Sequence, residues 1–89
     1  MRTPNLSTVA ARLAFARGLS GLSQRALSLR AGLTRPHVGM IESGARRELR
    51  YETMRALATT LGVSIPWLMI GEGVTPSERT IRTAVGRAA

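Results

Sequence analysis

Residues 22–44 read LSQRALSLRAGLTRPHVGMIESG, and the order of caps, apolar positions and glycines in this stretch decides the fold. Ser23 is a favoured N-cap type, Leu22 and Leu27 on either side of it can close as a hydrophobic staple, and Gly32 is a C-terminal stop. A short helix from Gln24 to about Ala31 is therefore predicted. The same grammar then repeats. Thr34 stands as the cap, Leu33 and Val38 as the staple pair, and Ile41 continues the apolar face to Gly44. Pro36 falls in the first turn, where its missing N–H is harmless. The second helix is thus expected from Thr34 to about Glu42. Only Gly32 to Thr34 separate the two, a turn so tight that they must cross steeply and leave the second prominent on the surface.

Working outward, Leu6, Val9, Ala10, Leu13 and Ala16 or Arg17 recur at helical spacing, with the charged ends of Arg12 and Arg17 off that stripe, and predict a first helix over Ser7 to about Arg17 that Gly18 and Gly21 end. Downstream, Ala45 to Arg50 is a basic loop. Tyr51 to Leu61 reads as a helix with Met54, Leu57, Ala58 and Leu61 inward, stopped by Gly62. Ser64 caps a further helix with Val63 and Leu68 as staple and Pro66 in its first turn. Ser77 to Val85 has Ile81, Ala84 and Val85 on one side, but it is expected to be frayed or used in assembly. The reading is all-α: a compact bundle of about five short helices over 1–73, followed by a basic tail over 74–89, flexible or used in assembly.

Composition agrees with one small folded domain. Of 89 residues, 44% are hydrophobic and 20% charged, and the aromatics are only Phe15, Tyr51 and Trp67, so the core must be aliphatic. No cysteine is present, which excludes a disulfide framework or thiolate metal site. With no Asp and a single His, the usual nucleophile–base and carboxylate-pair arrangements cannot be assembled, so no enzyme is expected, and no metal or cofactor either. No apolar run approaches the roughly 18 residues that span a bilayer, and Met1–Ala10 lacks a signal peptide's apolar stretch. A soluble, cytoplasmic chain is expected. Thirteen basic residues, all Arg, stand against five acidic ones, for a net charge of +8. Guanidinium groups fork onto phosphates and guanine edges, which makes nucleic acid the leading partner. An acidic protein or an anionic membrane surface would also be attracted by such a charge.

Leu22-Ser23-Gln24, Leu27-Ser28, Ala31-Gly32-Leu33-Thr34-Arg35, Val38 and Ile41-Glu42-Ser43-Gly44, at these spacings, resemble the helix-turn-helix of the lambda-repressor-like, Cro/Xre-type DNA-binding family, with the motif at 23–43. Arg12-Leu13 and Arg17 are similar to the family's first helix, and Leu57-Ala58, Leu61-Gly62-Val63-Ser64 and Trp67-Leu68 to its last two, so the resemblance runs from about Ser7 to Gly73. It implies that the second helix of the motif reads the major groove, with Arg35, Pro36 and Met40 facing bases. Arg35 alone can fork onto a guanine; Pro36 and Met40 offer apolar contact to thymine methyls. Thr34, His37, Ser43, Arg46, Arg47 and Arg50 are expected at the DNA backbone, as is Gln24, which by family position also braces the reading helix. The Arg46–Arg50 cluster has the plainer alternative of a solvated loop.

Arg17 and Glu42 are implied as a structural pair. Ser28 stands where the family prefers Ala and leaves a hydroxyl to satisfy, on the backbone one turn earlier. Gly39 in mid-helix is either room for close approach to the groove or tolerated drift. The expected function is a sequence-specific regulator of transcription, most simply a repressor binding a palindromic operator in double-stranded DNA as a homodimer. It is expected to act in a bacterial or phage cytoplasm, associated with the nucleoid. The other reading is an antitoxin or scaffold for a protein partner. Trp67, Leu68, Met69 and Ile70, with the tail, are the candidate dimer surface, although Trp67 and Leu68 read better as monomer core.

Overall fold

The computed structural model describes residues 5–87. The outermost residues of both expected segments, 1–4 and 88–89, lie outside the described residues. The described residues form six helices and no strand: α1 Val9–Ser20, α2 Gln24–Arg30, α3 His37–Ser43, α4 Tyr51–Leu61, α5 Ile65–Ile70 and α6 Glu78–Arg87.

Where the caps are local the expected boundaries hold. Ser23 Oγ accepts from the Ala26 amide at 3.0 Å and Ser64 Oγ from the Trp67 amide at 3.1 Å, starting α2 and α5 at their predicted places. Helix α1 begins at Val9, capped by Thr8, whose Oγ1 accepts from the Ala11 amide at 3.1 Å. It also outruns its expected end: the helix continues through Gly18 to Ser20, and the left-handed Gly21 ends it. Ser20 fills that last turn, its buried hydroxyl donating to the Arg17 carbonyl at 2.5 Å and accepting from the Leu22 amide at 3.0 Å.

One apolar core joins all six helices. Leu13 and Ala16 from α1 meet Leu27 of α2, Val38 and Ile41 of α3, Met54, Leu57 and Leu61 of α4, and Leu68 of α5. Trp67 is buried too, with the Phe15 ring 6.4 Å away and tilted by 53°. Trp67 and Leu68 therefore belong to the monomer core and drop out of the candidate dimer surface.

Two expectations need correction. The first concerns the stretch after Gly73. Ser77 Oγ accepts from the Thr80 amide at 3.2 Å, and the resulting α6 packs on α1 and α4 with Ile81 and Val85 buried. A ten-residue helix is marginal in water, and it is tertiary packing of its apolar side that holds it, so this stretch is a packed helix of the fold rather than a frayed one. Among the described residues the all-helical bundle of about five short helices is thus present, with α6 as a sixth. The approach to α4 is close: a Cβ at Gly62 would lie 2.2 Å from Ala84 Cβ.

The second concerns Arg12, expected off the apolar stripe but only 4% exposed. Its Nε donates to the Leu68 carbonyl (2.9 Å), Nη2 to Met69 (2.9 Å) and Nη1 to Leu6 (2.7 Å). The Leu68 and Met69 oxygens lie in the last turn of α5, where carbonyls lack helical partners and the helix dipole is negative, so a buried cation is held there without a carboxylate.

Candidate nucleic-acid interface

The α2–α3 turn is closed by main-chain bonds. Gly32 takes φ 76°, and the Leu33 amide reaches back to the Ser28 carbonyl at 2.8 Å. From there the chain does not enter α3 as predicted. Thr34 makes no side-chain cap; its carbonyl accepts from the His37 amide at 3.1 Å, so Thr34–His37 is a single turn that leads into the helix. The helix starts at His37, with Pro36 at the capping position and no side-chain cap bond from it. Arg35 and Pro36 thus project from the turn rather than from helical positions, both exposed. Met40, exposed one turn along α3, completes the expected reading set.

Ser28 is fully buried, as its place between the motif helices requires. Its hydroxyl donates to the Gln24 carbonyl one turn earlier (2.9 Å), as expected, and also accepts from the Val38 amide (3.0 Å), an interaction that no spacing rule exposes.

Glu42 anchors the far end of α3. Arg17 forks onto it, Nε to Oε2 at 2.7 Å and Nη2 to Oε1 at 3.0 Å, while Nη1 donates to the Leu22 carbonyl at 3.1 Å. The expected pair is formed, and its hydrogen bonds push the Arg17 guanidinium above its usual pKa despite partial desolvation. Gln24 Nε2 joins at 3.1 Å on Glu42 Oε1, bracing the helix. Gly39 lies against this brace, a relation neither expectation named: a Cβ there would stand 3.0 Å from Gln24 Oε1.

Beyond α3, Gly44 turns at φ 82° and the Met40 carbonyl accepts from both the Arg46 amide (3.0 Å) and Ser43 Oγ (3.2 Å). Ser43 Oγ also accepts from the Ala45 amide at 3.3 Å. Arg46, Arg47 and Arg50 are exposed on the loop that follows, and with Arg35 they form no ion pair among the described residues. Tyr51, the first residue of α4, is exposed beside Arg50 and adds an aromatic face that the helix-start reading did not single out. His37 is half-buried; desolvation first, and the Arg46 charge second, lower its pKa from the ordinary imidazole value, so it is neutral near pH 7 in the free protein. Any cationic role for it at a phosphate must be brought about by DNA itself.

Away from these residues, a groove between α2 and α4 is lined by Arg30, Glu52, Arg55, Thr59 and Thr60 over the small Ala31 and Ala56, and no residue of α3 reaches it. Among the described residues no group of three or more His, Cys, Asp or Glu side chains is placed to hold a metal ion, and no helix is long and apolar enough to cross a membrane.

No curated protein and no solved structure matched the chain. A family model described as Helix-turn-helix matches residues 13–68, more than half of the 89, and covers α2, the turn and α3 together with most of α1, all of α4 and α5 up to Leu68. The chain belongs to the Cro/C1-type helix-turn-helix family of DNA-binding regulators.

Proposed function

We propose that this chain is a transcriptional repressor that binds a palindromic operator as a homodimer, with the Arg35–Met40 segment in the major groove. The observation that carries the reading is the exposed, unpaired row formed by Arg35, Pro36 and Met40 on an element seated by Val38, Ile41 and Glu42. Arg35 forks onto a guanine edge, a contact worth about 1–3 kcal/mol of discrimination, and Pro36 and Met40 pack against thymine methyls. With one hydrogen-bonding reader per half-site, DNA shape supplies further selectivity.

Gln24, Thr34, His37 and Ser43 approach phosphates near the helix, and Arg46, Arg47 and Arg50 hold the backbone beyond it. Such contacts set position without carrying sequence information. A two-fold dimer places its reading segments one helical turn, about 34 Å, apart. Ile70, 68% exposed, and Val74, 92% exposed, are the most exposed large apolar residues among those described and form its interface. The protein acts in the cytoplasm, on the nucleoid, and does no chemistry on its DNA.

Selection from a random duplex pool tests the whole reading: an enriched palindrome is the expected result, and no enrichment would favour a scaffold for a protein partner instead. On the selected site, Arg35→Ala should lower affinity by about tenfold or more and relax preference at one guanine position. Arg46→Ala should weaken all duplexes alike and reduce the slope of log affinity against log salt by about one. Equal losses on selected and random DNA for both variants would remove Arg35 from the base-reading role.

A further inference from the structure

Helix α3 has seven residues and no cap of its own. Pro36 brings neither a side-chain acceptor nor an N–H, and Thr34 offers only its carbonyl, which the His37 amide takes. The next amide, that of Val38, belongs to a fully buried residue and cannot turn to water. An unmatched buried N–H at this point would weaken the leading turn of a helix that is only two turns long.

Ser28 Oγ fills the place, at 3.0 Å from that amide, across the turn from the neighbouring helix. The hydroxyl has one proton, and that proton is committed to the Gln24 carbonyl at 2.9 Å. With the donor direction fixed, a lone pair is left for Val38. The result is a directed chain of two hydrogen bonds, Val38 N–H to Ser28 Oγ–H to Gln24 C=O, in a dry environment where such bonds strengthen one another. Packing alone does not ask for it. Alanine would fill nearly the same volume between the helices, so what serine adds is the bond.

We propose that Ser28 is a positioning residue for base reading: it supplies the N-terminal cap of α3 from α2, and by doing so fixes the height and rotation of the Arg35–Pro36 turn relative to the first turn of α2. The residues tied together are those that matter for docking. Gln24 lies at one end of the hydrogen-bonded chain, and the amide at the other is three residues after Arg35. Without the hydroxyl the seat made by Val38, Ile41 and Glu42 remains, but the leading turn of α3 is held by side-chain packing only, and Arg35 samples several orientations at the groove. This inference rests on the proposal that Arg35 reads bases, and its test must fail separately from that proposal.

The test is Ser28→Ala, compared with the native chain and with Arg35→Ala on the selected operator and on random duplex. Far-UV circular dichroism should be unchanged, since the exchange is nearly isosteric. Amide hydrogen exchange at Val38 should speed up about tenfold while Leu27 and Leu57 keep their protection. The affinity ratio of operator to random DNA should fall about five- to tenfold, the usual effect of losing a cap, with random-duplex affinity unaltered. Faster exchange at Val38 with an unchanged ratio would make the bond merely structural and overturn the inference. Unchanged exchange would overturn it as well, as would equal losses on both DNAs. If Arg35→Ala itself leaves the ratio intact, base reading by Arg35 is wrong and the positioning role falls with it.

Discussion

Gly39 sits in the middle of the helix expected to enter the groove, with helical backbone and the Gln24 amide against its bare Cα. Its substitution separates two quantities that usually move together. Gly39→Ala gains about 1 kcal/mol of helix propensity, an increase in Tm of up to about 4–8 °C for a domain this size. The new Cβ would stand 3.0 Å from Gln24 Oε1, the end of a flexible side chain, which can yield. In yielding it leaves Glu42 and the position from which it is proposed to meet a phosphate. A higher melting temperature with weaker DNA binding is the expected pair of results; a melting curve and a titration check it, and undiminished binding would show that the placement of Gln24 is dispensable. Single residues were legible in the sequence where their role is local. Ser23 and Ser64 announce themselves because a cap acts within three residues of its own position. Ser28 announces only half of its role, since Gln24 is one turn away in the same helix and Val38 is ten residues on. Arg12 announces nothing: an arginine between apolar neighbours looks solvated until the carbonyls of α5, more than fifty residues later, come to it.

Among the elements, α6 shows how contact with a neighbour overrides a weak local signal. Its apolar positions Ile81, Ala84 and Val85 were visible as a stripe, and Ser77 as a cap, yet length and polarity argued for fraying. What sequence spacing could not show is the bare Cα of Gly62, just past the end of α4, where Ala84 comes in. The Arg30 guanidinium, reaching from α2 to the Val85 carbonyl at 3.1 Å, holds the far end of α6. Gly62→Ala adds a methyl 2.2 Å from Ala84 Cβ and puts an L-residue at φ 70°. Strain and the partial loss of Ile81 and Val85 burial should together cost at least about 2 kcal/mol. A thermal melt measures the loss, and limited proteolysis should open new cleavage between α5 and α6. Adding Ala84→Gly should restore part of the stability, because it removes the clash and leaves the backbone strain. Full restoration would mean that the left-handed conformation carries no cost; no restoration would mean that Ala84 is not where α6 meets α4. The start of α3 was misread for the opposite reason. Thr34 has the right identity and spacing for a cap, but an intervening turn through Arg35 and Pro36 moves the helix start to His37.

For the whole molecule, thirteen arginines against five glutamates give a strong positive charge that attracts a polyanion, and the Cro/C1-type fold supplies the DNA-binding scaffold that carries it. The proposed assembly on a palindrome requires a second surface; with Trp67 and Leu68 buried, Ile70 and Val74, the most exposed large apolar residues among those described, are our candidates for it. Ile70→Glu combined with Val74→Glu should leave the melting temperature within a few degrees, because both side chains are already exposed. Sedimentation should show a monomer, and affinity for the full palindrome should fall toward that for a half-site. A dimer that survives both charges would place the interface elsewhere. Beneath that surface lies Arg12, whose partners are all main-chain oxygens, those of Leu6, Leu68 and Met69. A clamp on carbonyls is indifferent to which side chains those residues bear. The outward positions at the end of α5 can therefore be rewritten without loosening the helix from its seat, which, in the proposed dimer, makes pairing preference a trait that diverges while the DNA-reading half stays as it is. In the proposed dimer, related proteins sharing one cell would be kept from mixing by changes at Ile70 and Val74.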